Sequence, residues 1–389
     1  MRRAGGGAVS GPPATTAVPP TSLGELARLF LRLGGTAFGG PAAHIAMMED
    51  EVVRRRRWLT EERFLDLLGA TNLIPGPNST ELAIHVGFER RRWAGLVVAG
   101  ASFILPAMLV TSAFGWAYVR FGRLPEAVGL LYGVKPVVLA IVVQALSQLA
   151  PRAARTWPLC VLAVAAAVAT ALGVHELAVL FGSGMLAVLA RGRGGTLRQV
   201  VPIVPALAAS AATSVVTLPG LFWVFLKTGS VLFGSGYVLL AFLRADLVER
   251  LRWLTEGQLI DAIAVGQVTP GPVFTTATFI GWLLAGPRGA IVATVGIFIP
   301  AFVFVALSGP LVPKLRASPV AGAFLDGVNV ASLALMAVVT VQLGRAAIVD
   351  APAAVLGLVA AALLLGARVG ATWLVLGGAL AGLAVHAAR

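Results

Sequence analysis

Residues 72–81 read NLIPGPNSTE, and residues 267–276 read QVTPGPVFTT. Each block breaks an apolar stretch with two prolines around a glycine, followed by hydroxyl side chains. Proline lacks the backbone donor that a helix interior needs, and glycine admits backbone conformations closed to other residues, so regular helix stops at both places. The two blocks lie 195 residues apart, and other pairs keep that spacing: LRLGGTAFGGP from Leu31 matches LKTGSVLFGSG from Leu226, and RWLTE occurs at 57–61 and 252–256. After the loss of one residue, FILP ending at Pro106 pairs with IFIP ending at Pro300, and Gly133-Val134-Lys135 with Gly327-Val328-Asn329. Five matched blocks in one order make the chain two copies of a single unit, 23–189 and 222–389. Between them, 190–221 carries Arg191, Arg193 and Arg198 and an additional apolar stretch at 200–220. The first 22 residues are rich in Gly, Pro, Ala and Thr, lack the continuous apolar core of a signal peptide and are expected to be disordered.

The medium around those interruptions follows from composition. Hydrophobic residues make up 58% of the 389, charged residues only 12%, and the mean hydropathy is +0.89. Stretches such as 24–46, 95–119, 126–149, 222–244, 288–311 and 320–343 approach or exceed the ~20 residues that span a hydrocarbon core. The reading is an all-α polytopic integral membrane protein with about 10 to 13 membrane elements. A net charge of +13 would suggest nucleic acid in a soluble domain. Here the basic residues cluster between apolar segments, which the positive-inside rule explains without a nucleic-acid partner. Arg54–Arg57 and Arg90–Arg92 flank 60–89; if both clusters are cytoplasmic, that stretch is a re-entrant hairpin turning at Pro75-Gly76-Pro77, and 255–286 is its counterpart. The single cysteine, Cys160, excludes an internal disulfide and any multi-cysteine metal cluster.

Two readings of the broken hairpins stand side by side. Pro-Gly-Pro makes a tight loop whose hydroxyls cap the next helix, or it presents backbone amides beside Asn78, Ser79, Thr275 and Thr276 to an anion. Asn72 and Gln267 precede the two turns, Pro75-Gly76-Pro77 and Pro270-Gly271-Pro272. Gly39 and Gly40, with Gly234 and Gly236 in the second copy, either permit close helix packing or mark an unwound segment facing the turn, with Thr36 or Ser230 offering a hydroxyl. Lys135 is an interfacial anchor or a positive charge on an anion path, and its repeat mate is the uncharged Asn329. Glu81 and His85 share a helix face and, with His44, Asp66 and Asp261, are candidates for proton coupling or for local hydrogen-bonded pairs. His44 beside Glu49, Asp50 and Glu51 lacks the spaced second histidine of a metal site, and neither a metal nor a cofactor is expected.

FLRLGGTAFGGPAAHI, RRRRWLTEERFLDLLG and NLIPGPNSTELAIHVG, with FLKTGSVLFGSGYVLLAFL, RWLTEGQLIDAIAVGQVTPGPVFTTATFIG and GIFIPAFVFV in the second copy, resemble the signature blocks of the chromate ion transporter family in its long, two-domain form. The resemblance implies a bacterial inner-membrane protein that exports chromate using the proton-motive force, with sulfate a similar oxyanion. It places family motifs on Gly39, Gly40, Pro41, His44, Arg57, Trp58, Pro75, Gly76, Pro77, Gly234, Gly236, Gln267, Pro270, Gly271 and Pro272. Asn72 stands where the family commonly has glutamine, and Asn78-Ser79-Thr80-Glu81 where small residues, serines and glutamine are usual. Oxyanion uptake, a passive anion channel and an integral-membrane enzyme using His44, Asp66 or His85 are the competing functions. Membrane lipid is an expected partner, and the oligomeric state stays open, a homodimer included.

Overall fold

The computed structural model describes residues 21–38, 40–122, 124–191, 215–233, 238–367 and 369–388. Gly39, Gly234, Gly236, Arg193, Arg198, most of the tail and 200–214 of the additional apolar stretch lie outside them. Among the described residues every regular element is a helix. The first half runs α1 (Leu23–Thr36), α2 (Gly40–Glu49), a π-helical stretch Asp50–Arg55, α3 (Glu61–Thr71), α4 (Asn78–Phe121), α5 (Pro125–Ala153), α6 (Trp157–Ala171) and α7 (Glu176–Arg191). The second repeats it: α8 (Leu218–Val231), α9 (Leu239–Leu243) with the π-helical Arg244–Arg250, α10 (Glu256–Val268), a 3-10 turn Val273–Thr275 leading into α11 (Thr276–Ala317), α12 (Pro319–Ala347), α13 (Ala351–Leu365) and α14 (Ala371–Ala387).

The repeat extends to backbone conformation, which explains the RWLTE motif. Each π-helical stretch is followed by an arginine in the left-handed region, Arg57 at φ 52° and Arg252 at φ 53°. The next two amides then share one carbonyl, Trp58 and Leu59 that of Val52, Trp253 and Leu254 that of Leu247. Thr60 and Thr255 cap α3 and α10 by accepting from the amides of Arg63 and Gln258, each at 3.2 Å.

Two expected single elements are divided. Stretch 24–46 splits after Thr36 into α1 and α2, and 222–244 ends as α8 at Val231 before α9 begins. Glycine at the break removes the steric bar to departure from the helix, and Gly40 takes φ 79°. Within α4, Arg91 and Arg92 leave the helical region, as Ala285 and Gly286 do within α11. A Cβ placed on Gly87 would lie 2.2 Å from the carbonyl oxygen of Gly95; the same test at Gly281 gives 2.3 Å to that of Gly289. Residues so spaced sit ~12 Å apart along a continuous helix, so the chain reverses at both places. The arm 78–90 therefore folds back on the rest of α4, and the Pro-Gly-Pro turn before it sets it beside α3. An Arg63–Glu89 ion pair and the 3.3 Å bond from Arg90 to the Trp58 carbonyl join the start of α3 to the end of that arm, leaving Pro-Gly-Pro at the tip.

Contacts between repeat mates fix how the halves are related. Arg155, just after α5, pairs at 2.7 Å with Asp326 near the start of α12; Tyr132, near the start of α5, donates to Asp350 just after α12. Mates α5 and α12 thus run antiparallel, and the halves form an inverted repeat. They are also interleaved: α5 packs on α13 and α14, and α12 on α6 and α7. Gly133 approaches Gly378 and Gly382, and Gly327 approaches Ser183 and Gly184, closely enough that no side chain fits. Such small-residue contacts gain dispersion energy where lipid gives helices no hydrophobic drive to associate.

Among the described residues, four helical segments are long and apolar enough to cross a membrane: α4, α5, Val273–Ser308 and α12. The periphery is itself apolar, with Leu109, Leu307, Val341 and Leu358 all exposed. A continuous apolar exterior on a packed helical body is the surface that lipid covers.

Candidate functional site at the crossing of the two halves

Both Pro-Gly-Pro turns are buried, and each is tied to the opposite half. The Gly76 amide donates to the Leu232 carbonyl at 2.8 Å, and the Gly271 amide donates to the Ala37 carbonyl at 3.0 Å. Leu232 and Ala37 are repeat mates in the breaks after α8 and α1, so one bond is the two-fold image of the other. Glycine is required twice over. Gly76 and Gly271 adopt φ 140° and 92°, and a Cβ would meet the Glu81 Oε1 at 2.3 Å and the Ala107 Cβ at 2.6 Å.

These bonds divide the expected anion donors into spent and available. The glycine amides are committed to the partner half, and Pro77 carbonyl accepts from the amides of Thr80 and Glu81. That leaves Asn78 and Ser79, the first residues of arm 78–90, with amides that have no acceptor inside their helix. Thr36 and Ser230 are not aimed at the turns: each donates to its own helix, to the carbonyls of Arg32 and Leu226 at 2.7 Å. Thr275 donates to Pro272 carbonyl at 2.9 Å, and Thr276 to Val273 carbonyl at 2.8 Å. Asn78 donates to Asn72 at 2.8 Å on the accessible side of the first hairpin. Gln267, with an unpartnered Nε2, instead faces a small cavity shared with Leu239 and Thr276.

Ionisable groups break the two-fold symmetry. Buried His44 donates from Nε2 to the Ala37 carbonyl at 3.0 Å, the carbonyl that also receives Gly271; this fixes the tautomer, so Nδ1 accepts from Ser79 at 3.3 Å. Glu81 is completely buried, and neither carboxyl oxygen has a hydrogen-bond partner; His85 Nε2, one turn along, also lacks one. The second half has no ionisable residue at the corresponding positions, where Leu239, Thr275 and Phe279 stand. Lys135 on α5 lies 3.6 Å from buried Asp261 on α10, which accepts from Tyr118 on α4 at 2.9 Å. Asp66, the mate of Asp261, is exposed, and Asn329 is half-buried on α12. Four groups of expected residues are therefore brought together: His44 with Ser79, Glu81 with Gly76, Asn72 with Asn78, and Lys135 with Asp261.

Sequence reasoning missed a repeated ion cluster. Glu51 is held by Arg32 at 2.5 Å and Arg56 at 3.3 Å, and its mate Asp246 by Lys227 and Arg250, each at 2.5 Å. The signal was present, since Arg32/Lys227 and Glu51/Asp246 keep the repeat spacing. Although burial pushes the Glu51 carboxyl up, hydrogen bonds and charge from Arg32 and Arg56 hold it below the usual 4.5. Among the described residues no cluster of three or more His, Cys, Asp or Glu could hold a metal ion.

The chromate transporter family model matches the chain twice, at residues 24–188 and 219–383. The chain belongs to the chromate transporter family. The two matches coincide with the two inverted halves, making this the long, two-domain form. A chromate transport protein of Cupriavidus metallidurans is 36% identical across 96% of this chain and 98% of its own length. One from Pseudomonas aeruginosa is 30% identical across 87% and 85%. An uncharacterized Bacillus subtilis transporter, YwrA, is 33% identical over 101 residues, 26% of this chain. No solved structure matches. The protein is a multi-pass membrane transporter and not an enzyme.

Proposed function

We propose that the protein is a secondary transporter of the bacterial inner membrane that exports chromate, with sulfate as the structurally similar competitor. The observation that carries this reading is the reciprocal bonding of Gly76 to Leu232 and Gly271 to Ala37. In an inverted repeat, two hairpins each held by the other half give the site two related arrangements, one open to each side. The hairpins are re-entrant, and their interrupted backbone is tolerated because it is buried in protein. Chromate, a tetrahedral dianion, is held by the Asn78 and Ser79 amides at the positive end of arm 78–90, with Asn72 beside them. Lys135 adds positive potential that Asp261 tempers.

Glu81 is the proposed proton carrier. An ionised carboxylate without hydrogen bonds is costly to keep from water, and it would compete with an oxyanion for the same helix end. Proton and oxyanion therefore occupy the site together. One proton with one dianion leaves net negative charge to be expelled by an inside-negative potential, the electrical part of the proton-motive force. The same residue favours a second reading, proton–oxyanion uptake driven by an inward pH gradient.

Proteoliposomes separate the two. With a potassium diffusion potential and no pH gradient, chromate efflux should accelerate as the interior becomes more negative. Glu81→Gln should keep potential-driven flux while losing its pH dependence. Flux responding only to an inward pH gradient selects uptake, and absence of chromate and sulfate movement under every gradient overturns both.

A further inference from the structure

A wide cavity in the described structure lies away from the hairpins. It is a groove of 810 Å³ between α6, α7 and the start of α12, lined mainly by aliphatic side chains such as Leu159, Leu162, Leu186 and Leu189. Arg155 and Arg191 stand at its polar end, pairing with the single carboxylate of Asp326 at 2.7 and 3.8 Å. Two guanidiniums share one carboxylate, so the end carries excess positive charge, and both arginine side chains remain more than half exposed, at 61% and 63%.

We propose that this groove binds an anionic phospholipid, with an acyl chain along the aliphatic wall and the phosphate bridging Arg155 and Arg191. Guanidinium groups match phosphate geometry with paired donors, and an apolar slot leading from such a pair suits a headgroup with its tail attached. α6 has 15 residues and spans ~22 Å, short of a ~30 Å hydrocarbon core, so lipid must fill the space beside it. The side is set by charge: Arg152, Arg155 and Arg191 lie at this end, and the sequence just after Arg191 adds Arg193 and Arg198, which assigns the end to the cytoplasmic face. Basic pockets between helices on that face are suited to acidic headgroups. The repeat supplies an internal control. Val349 and His386 occupy the positions corresponding to Arg155 and Arg191, so the two-fold related place near the other face lacks this arginine pair.

The test uses the full chain in nanodiscs of pure phosphatidylcholine or of phosphatidylcholine with one-fifth phosphatidylglycerol, read by thermal unfolding and by native mass spectrometry of retained lipid. Phosphatidylglycerol should raise the midpoint and be retained, whereas inorganic phosphate added to phosphatidylcholine discs should do neither. Arg155→Gln and Arg191→Gln should each weaken retention about fivefold. Ala165→Trp keeps both charges and plugs the groove; it should abolish retention even if the arginine variants fold poorly. Equal retention of phosphatidylcholine, an equal response to inorganic phosphate, full retention by Ala165→Trp, or a groove closed by a second copy with no lipid response overturns the proposal.

Discussion

Arg92 occupies φ 51° and ψ −135°, a region that favours glycine, and its repeat mate Gly286 has φ 61° and ψ −150°. Holding a side chain there costs of order 1–3 kcal/mol, partly offset by the Arg92 guanidinium 5.7 Å from the Phe88 ring. Arg92→Gly should therefore stabilise the protein by about 1 kcal/mol, measured as unfolding in detergent, after allowing for the freer unfolded chain. Glu51 carries the opposite kind of prediction. Its carboxyl is held below 4.5 in the folded protein, so its contribution is complete above that value and fades as pH falls through the lower folded value. Glu51→Gln should cost about 2 kcal/mol at pH 7 and progressively less in acid. A variant penalty that is the same at neutral and low pH would contradict this account.

The hairpin element depends on glycine in a different way. Gly87 against Gly95, and Gly281 against Gly289, let the returning arm touch the one before it. Gly87→Leu drives a side chain into backbone, and we expect a loss of about 3 kcal/mol or failure to fold. Gly182→Leu meets open space and should be nearly neutral, since no atom beyond its own stretch of helix lies within 4 Å of its Cβ position. Thermal midpoints of the purified pair, with their yields, test the contrast. The Pro-Gly-Pro interruptions and the hairpin length were legible in sequence because proline and glycine act locally. A reversal near 90–92 was implied by the arginine clusters that bound the hairpin, but the glycine-like conformation of Arg92 was not, because it is imposed by packing across the glycine contact.

Across the whole molecule, antiparallel repeat mates make a topological prediction. In a Cys160→Ala background, Leu124→Cys and Val349→Cys should react with an impermeant thiol reagent from one face, and Thr156→Cys and Val320→Cys from the other. A parallel repeat would instead pair Leu124 with Val320 and Thr156 with Val349. Labelling in right-side-out and inverted vesicles distinguishes the patterns.

The sequence by itself determined the medium, the duplication and the places where helix stops, since apolar length, repeated motifs and Pro-Gly-Pro are local properties of the chain. It also carried the family through its motif blocks. Only the tertiary structure decided that the halves are inverted and interleaved, because orientation is set by contacts such as Arg155–Asp326 and Tyr132–Asp350, between residues with no sequence relation. It likewise decided which donors are spent. Gly76 and Gly271 look like free amides in the sequence, yet each serves the other half; Lys135 looks like an isolated cation, yet Asp261 lies beside it. A hydrogen bond consumes a group regardless of the residue's type, and its partner is known only once the chain has folded.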